Sequence, residues 1–375
     1  MPTLSGWRRP RAAFSRYALG AALALLLASC SSTRPVLLGP AFFVHDSYAV
    51  RYSIICFIHG DGDYLYHDSL GNERRADEDA LAGAVRVAES NPLAEVFIYH
   101  ETPEKNFLLL FPQHDGEFSY YRNGRMIASA SYPRGNGVGR FDAPVRLYEE
   151  YRAVSFIQAK TLFLYFGHEL PEIADEESQP EQPFTVPELA AGLQRFTRDS
   201  SRLDLVVLSS CYNGTPYTIS SLTPYARTII ASPDNLHLSY FDLQPLERLE
   251  SGMPDGDVPA FAASFARHSF ERLTHDIQTA VTVAVYDVDC VQGYLHGVDS
   301  VDRALTALRG ARAPSPAAVE HCDCADHPSY ALPMMSDGVD VFYRSARFGR
   351  SKEKERHSGW QCWKQLPLQA SRAAE

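Results

Sequence analysis

LDLVVLSSCYNG, residues 203–214, is the stretch on which the fold turns. An apolar run from Leu205 to Leu208 stops at Ser209, Ser210 and Cys211, and Gly214 follows. Such a run reads as a strand buried on both faces that hands over to a turn. Taken alone, the thiol at its end suits burial, because cysteine is among the most buried residue types. A second stretch shifts that weighing. AKTLFLYFGHEL, residues 159–170, is another near-continuous apolar run, and it ends Gly167-His168-Glu169. Between the two lies PELAAGLQRFTRDSS, residues 187–201, a helix with proline in its first turn. Strand, helix and strand make a βαβ unit, which sets the two strands parallel and brings their carboxyl ends to one edge of a sheet.

The rest of the chain extends the pattern. RYSIICFIHGDGDY (51–64) is an apolar strand ending in a Gly/Asp-rich turn, and EDALAGAVRVAES (78–90) has helical spacing stopped by Asn91-Pro92. AEVFIYHE (94–101) is a strand. Residues 106–129 read as paired hairpin strands, with turns at His114-Asp115-Gly116 and Asn123-Gly124. Residues 143–158 are helical, 226–240 contain a further strand, and 259–277 are helical. Residues 279–308 read as strand, turn and helix. Alternating strands and helices of this kind predict an α/β fold with a mainly parallel sheet.

The 375 residues, 45% of them hydrophobic, suffice for one large or two modest domains. A net charge of −11 argues against nucleic acid as a partner. The first thirty residues read as a targeting segment. Arg8, Arg9, Arg11 and Arg16 precede the apolar stretch 17–29, which is short for a membrane span. Leu27-Ala28-Ser29-Cys30 then resembles the bacterial lipobox, in which the cysteine is acylated and becomes the first residue. The expected organisation is a signal peptide over 1–30 with lipidation at Cys30, and a tether over 31–46. A catalytic domain over 47–310 and an irregular, cysteine-containing extension over 311–375 follow. The expected location is the bacterial cell envelope, with a lipid anchor in the membrane and the outer membrane favoured. Export permits disulfides, and any disulfide is expected among Cys322, Cys324 and Cys362.

Cys211 and His168 are the candidate catalytic pair. A thiol attacks a carbonyl as thiolate and needs a base or cation beside it, and imidazole is the usual partner. Backbone N–H groups of Cys211 and of Glu169 are placed to serve as oxyanion donors. Ser209, Ser232 and Asp234 are candidates for the substrate pocket. The two blocks resemble the His and Cys blocks of the clostripain family in the caspase-like clan of cysteine peptidases. That family has a strand ending Gly-His-Gly and then an apolar strand ending Asp-x-Cys. IICFIHGDGDYL (54–65), TIIASPDNLHLSYFD (228–242) and TVAVYDVDCVQGYLHGVDSVDRAL (282–305) follow in family order. The likeness spans roughly residues 50–310. It implies a caspase-like α/β/α sandwich in which Cys211 is the nucleophile and His168 the general acid/base. The substrate would be a protein or peptide cleaved through a thioacyl intermediate. Two positions depart from the family. Glu169 replaces the glycine after the histidine. Ser209 replaces the acid that helps read a basic side chain before the scissile bond, so that preference is not expected here.

Other signals are weaker. His59-Gly60 resembles an oxyanion-type loop of an α/β-hydrolase, but no Gly-x-Ser-x-Gly elbow follows. A hydrolase of that class would need His268, His275 or His296 beside Cys211. Asp61, Asp63 and Asp68 lack EF-hand spacing, and HCDCADH (321–327) lacks the usual zinc spacing, so no metal and no cofactor is expected. The acidic run 172–183 reads as a solvated loop. Both family departures also fit a non-catalytic lipoprotein that binds a peptide or partner with the same fold.

Overall fold

The computed structural model describes residues 50–360. Excluded are 61–64, 68–70, 103–104, 108–110, 114, 154–158, 173–183, 198–201, 237–239, 254–255, 294, 296–322 and 324–337. Among these described residues nine strands form the central sheet. They are β1 (Tyr52–His59), β2 (Ala94–Glu101), β3 (Asp115–Arg122), β4 (Arg125–Pro133), β5 (Lys160–Phe166), β6 (Leu203–Ser209), β7 (Ala226–Ala231), β8 (Val281–Asp287) and β9 (Val339–Arg344). Their order across the sheet is β9-β8-β7-β6-β5-β1-β2-β3-β4. The central strands β7, β6, β5, β1 and β2 pair in parallel. β3 and β8 pair antiparallel with both neighbours, so only these two run against the rest. The result is a mixed α/β fold with a mainly parallel sheet, as the alternating pattern predicts.

Period-2 alternation on strands buried on both faces builds two cores. On one face Phe57, Phe163, Tyr165, Val206 and Leu208 pack against α2 (Asp142–Tyr151), α3 (Val186–Phe196) and α4 (Pro216–Leu222). On the other, Ile54, Cys56, Ile58, Leu164 and Val207 pack against α1 (Ala76–Ser90) and α5 (Val258–Asp276). Each fully buried Leu, Ile or Phe contributes about 1.5–3 kcal/mol. Cys56 belongs to this packing: its burial is complete and pushes the thiol up to about 12.

Helix starts follow local chemistry. Thr185 and Glu188 form a reciprocal capping box at α3, with proline in the first turn. Thr215 caps α4 and Asp257 caps α5. α2 ends at Tyr151, short of the expected 158, and the buried Glu95 carboxylate takes the Ala153 N–H, two residues past the helix end, at 2.7 Å. Asn123 and Gly124 close the β3–β4 hairpin with φ of 55° and 68°, the left-handed pair such a turn needs. Gly116, expected in a turn, lies within β3. Within the tail expected to be irregular, Val339–Arg344 forms β9 and supplies the edge partner of β8. Its six-residue stretch, VDVFYR, is short and shows no sustained apolar–polar alternation, so the sequence carries little strand signal there.

Among the described residues no helix is long and apolar enough to cross a membrane. The expected signal segment, Cys30, the tether, the acidic run after Glu172, Asp61, Asp63, Asp68, His296, Cys322, Cys324 and Cys362 lie outside the described residues.

Candidate active site

β5 and β6 are adjacent and parallel, with Ser209 in register with Phe166. The residues that follow them therefore leave the sheet side by side. His168 comes two residues after the end of β5, and Cys211 two after the end of β6. Both line one cavity of about 290 Å³, together with His59, Asp77, Ser209, Asn235, Leu236 and others.

Two loops are stitched together under this cavity. The Asn213 carboxamide is 1% exposed and reaches across to the loop after β5. Its Oδ1 accepts from Leu170 N–H at 3.0 Å and from the Ser210 hydroxyl at 2.6 Å, and its Nδ2 donates to the Leu170 carbonyl at 3.0 Å. The Thr215 hydroxyl donates to the Glu172 carboxylate nearby. The backbone adds a bond from Gly167 N–H to the Ser209 carbonyl at 3.4 Å. The histidine loop is thereby fixed to the cysteine loop by Asn213 and Thr215, two and four residues after Cys211.

The loop after β7 covers the sulfur. Cys211 Sγ donates to Asn235 Oδ1 at 3.4 Å and accepts from Leu236 N–H at 3.3 Å. An N–H aimed at sulfur stabilises negative charge there. Tyr212, next to the thiol, sits at φ 55°, an uncommon conformation for a side chain of its size. The turn is held by Tyr212 N–H to the Asp234 carbonyl at 3.2 Å and Gly214 N–H to the Ser232 carbonyl at 2.9 Å. Gly214 is needed for that approach, because a Cβ there would stand 2.7 Å from Pro233 N.

The pocket candidates separate. Ser209 lines the cavity, but its hydroxyl accepts from Phe241 N–H at 2.8 Å. Ser232 and Asp234 do not line it. The Ser232 hydroxyl closes its own turn onto Asp234. The Asp234 carboxylate receives the Thr282 hydroxyl and lies 3.8 Å from His357 Nε2. Glu169 is half-buried and also stands off the cavity wall. His268 pairs with Asp242 at 3.0 Å and is not on the wall either.

The sequence reading gave no role to His59 beyond a hydrolase-type loop, and none to Glu101, Arg140 or Asp77. His59 ends β1 and Glu101 ends β2, and the two are register partners. His59 Nδ1 lies 3.0 Å from Glu101 Oε2. Arg140 donates to both Glu101 oxygens at 2.6–3.0 Å. Burial pushes the Glu101 carboxyl up, but the His59 hydrogen bond and the Arg140 charge outweigh it and hold the group at about 2. Asp77, at the start of α1, is treated alike. Burial raises it, while His100 at 3.3 Å and Arg75 at 3.0 Å hold it below its ordinary value. Register across β1 and β2 brings His59 to Glu101, and no local motif marks that pair. Among the described residues no cluster of three or more His, Cys, Asp and Glu side chains could hold a metal ion.

The fold has counterparts among solved structures. A secreted C11 cysteine protease from Bacteroides thetaiotaomicron, "iotapain", superposes with a TM-score of 0.54 at 11% identity, covering 84% of this chain and 93% of that one. An inactive zymogen C11 protease from Parabacteroides distasonis superposes with a TM-score of 0.55 at 12% identity, covering 87% and 96%. The fold is that of the C11 cysteine proteases. This agrees with the clostripain-like, caspase-like architecture expected from the His and Cys blocks. At such identity the likeness speaks for the fold. No protein-family model and no curated relative matches the sequence.

Proposed function

We propose that this chain is a clostripain-like cysteine peptidase that cleaves proteins or peptides. One observation carries the proposal: Cys211 and His168, from the ends of adjacent parallel strands, line the same cavity in a C11 protease fold. In this reading the Cys211 proton passes to His168 and the sulfur attacks the scissile carbonyl. Backbone N–H groups of Cys211 and Glu169 receive the oxyanion. The tetrahedral adduct collapses to a thioacyl enzyme as the amine leaves with the proton from His168. Water, deprotonated by His168, then releases the acid. The preformed hold of Asn213 on both loops keeps the two groups aligned, which is worth orders of magnitude in rate.

The test is casein digestion together with covalent capture by a peptidyl acyloxymethyl ketone. Wild type should digest casein and carry the adduct on Cys211, and Cys211→Ala and His168→Ala should lose both. Alanine variants as active as wild type would refute the assignment.

We further propose that the mature chain is tethered to the cell envelope through acylated Cys30, supported by the order of basic, apolar and small residues before that cysteine. Incorporation of labelled palmitate, lost in Cys30→Ala, is the expected result. Labelling that persists in Cys30→Ala would count against the tether.

A further inference from the structure

The cavity wall carries one carboxylate, Asp77, that the Cys211–His168 chemistry leaves unused, and a second, Glu101, stands behind the wall residue His59. Both are already matched. Asp77 faces the Arg75 guanidinium at 3.0 Å and the His100 ring at 3.3 Å, and its side chain is 2% exposed. Glu101 stands behind His59, is clamped by Arg140 and is 0% exposed. At Ser209, where the clostripain family carries its acid, the hydroxyl is occupied by Phe241 N–H. The described part of the wall therefore presents no uncompensated negative charge. A lysine or arginine side chain entering this space would give up its water without meeting a countercharge, which is costly. The wall instead offers apolar surface from Ala76, Ala80, Phe166, Leu236 and the Tyr240 ring. Beside them the wall carries the Asn235 carboxamide and the His59 ring, whose Nδ1 lies 3.0 Å from Glu101 Oε2.

We propose that this cavity is the primary specificity subsite and takes an uncharged, largely apolar side chain, of the leucine, methionine or phenylalanine class, on the residue before the scissile bond. The proposal rests on the peptidase reading and goes beyond the expected loss of the clostripain family's basic preference by naming what replaces it. Arg75 acts in it as a specificity-determining residue by offsetting the wall carboxylate of Asp77, and Arg140 does the same for Glu101 behind His59.

The test uses the full chain and two peptidyl acyloxymethyl ketones that differ only in leucine or lysine before the warhead. Adduct formation on Cys211 is followed by mass spectrometry, with Cys211→Ala as the blank. The leucine probe should label faster by about tenfold or more. Arg75 is partly exposed, so Arg75→Gln should fold normally. It removes the permanent positive charge from Asp77, leaving the His100 ring beside it, and should shift the labelling ratio several-fold toward lysine. Equal or faster labelling by the lysine probe in wild type overturns the proposal, and so does a ratio unmoved by Arg75→Gln. Failure of both probes to label Cys211 would instead count against the peptidase reading, and the subsite falls with it.

Discussion

Replacing Asn213 by alanine should uncouple the two loops that carry His168 and Cys211. The substitution removes three hydrogen bonds, at 2.6, 3.0 and 3.0 Å. The groups left behind are Leu170 N–H, the Leu170 carbonyl and the Ser210 hydroxyl. Leu170 is 0% exposed and Ser210 2%, so water reaches them poorly. Each buried orphan costs about 1–3 kcal/mol, and allowing for relaxation the total is about 3–5 kcal/mol. That is a large share of the ~5–15 kcal/mol that holds an ordinary domain together. Urea unfolding at 25 °C gives the loss directly, and amide hydrogen exchange locates it at Leu170. Under the peptidase reading, kcat/KM should fall about a hundredfold, since a shift near 1 Å between reacting groups has that effect. An Asn213→Ala variant within ~0.5 kcal/mol of wild type, with Leu170 still protected, refutes the clamp.

Three further outcomes follow from the same geometry. Glu101 titrates at about 2 in the folded protein, below its ordinary value of about 4.3 in the unfolded chain, so the unfolded state takes up the proton first. Its contribution of about 3 kcal/mol is complete above roughly pH 5 and is lost as pH falls toward 2; Glu101→Gln should flatten that slope of stability against pH, and an unchanged slope would discount the triad. Iodoacetamide should modify Cys211 in the folded protein but Cys56 only after unfolding, because the Cys56 thiol is buried and pushed up to about 12; mass spectrometry showing early modification of Cys56 would contradict its place in the core. Gly214→Ala should destabilise by about 1–3 kcal/mol, since the new methyl group meets Pro233 and Ser232 backbone rather than a mobile side chain; a melting temperature equal to wild type would show that the turn has room to spare.

What could be read from the residues was what repeats over short distances. Apolar runs such as Phe163–Phe166 and Leu205–Leu208 announce strands buried on both faces, and a proline-led helix between them announces a parallel crossover. That suffices to bring His168 and Cys211 to one edge of the sheet. The cavity's charge pattern is of another kind. His59 meets Glu101 through strand register, and Arg140 arrives from a separate short helix 39 residues beyond Glu101. No periodicity marks such partners. Ser232 and Asp234 lie on the correct loop, but that loop turns them away from the cavity and presents Asn235 and Leu236 instead. Asn213 sat inside the opening stretch, yet its work is done on Leu170, 43 residues earlier.

The edge strand β9 has a consequence for how the protein is made. Val339–Arg344 covers the outer side of β8, and more than fifty residues separate the two along the chain. Until β9 docks, β8 presents a row of open N–H and C=O groups, the template on which other chains pair. A chain shortened before Val339 should therefore tend to associate edge to edge, although every residue proposed for chemistry would still be in it. Solubility, rather than turnover, is where the loss of that last strand should show first.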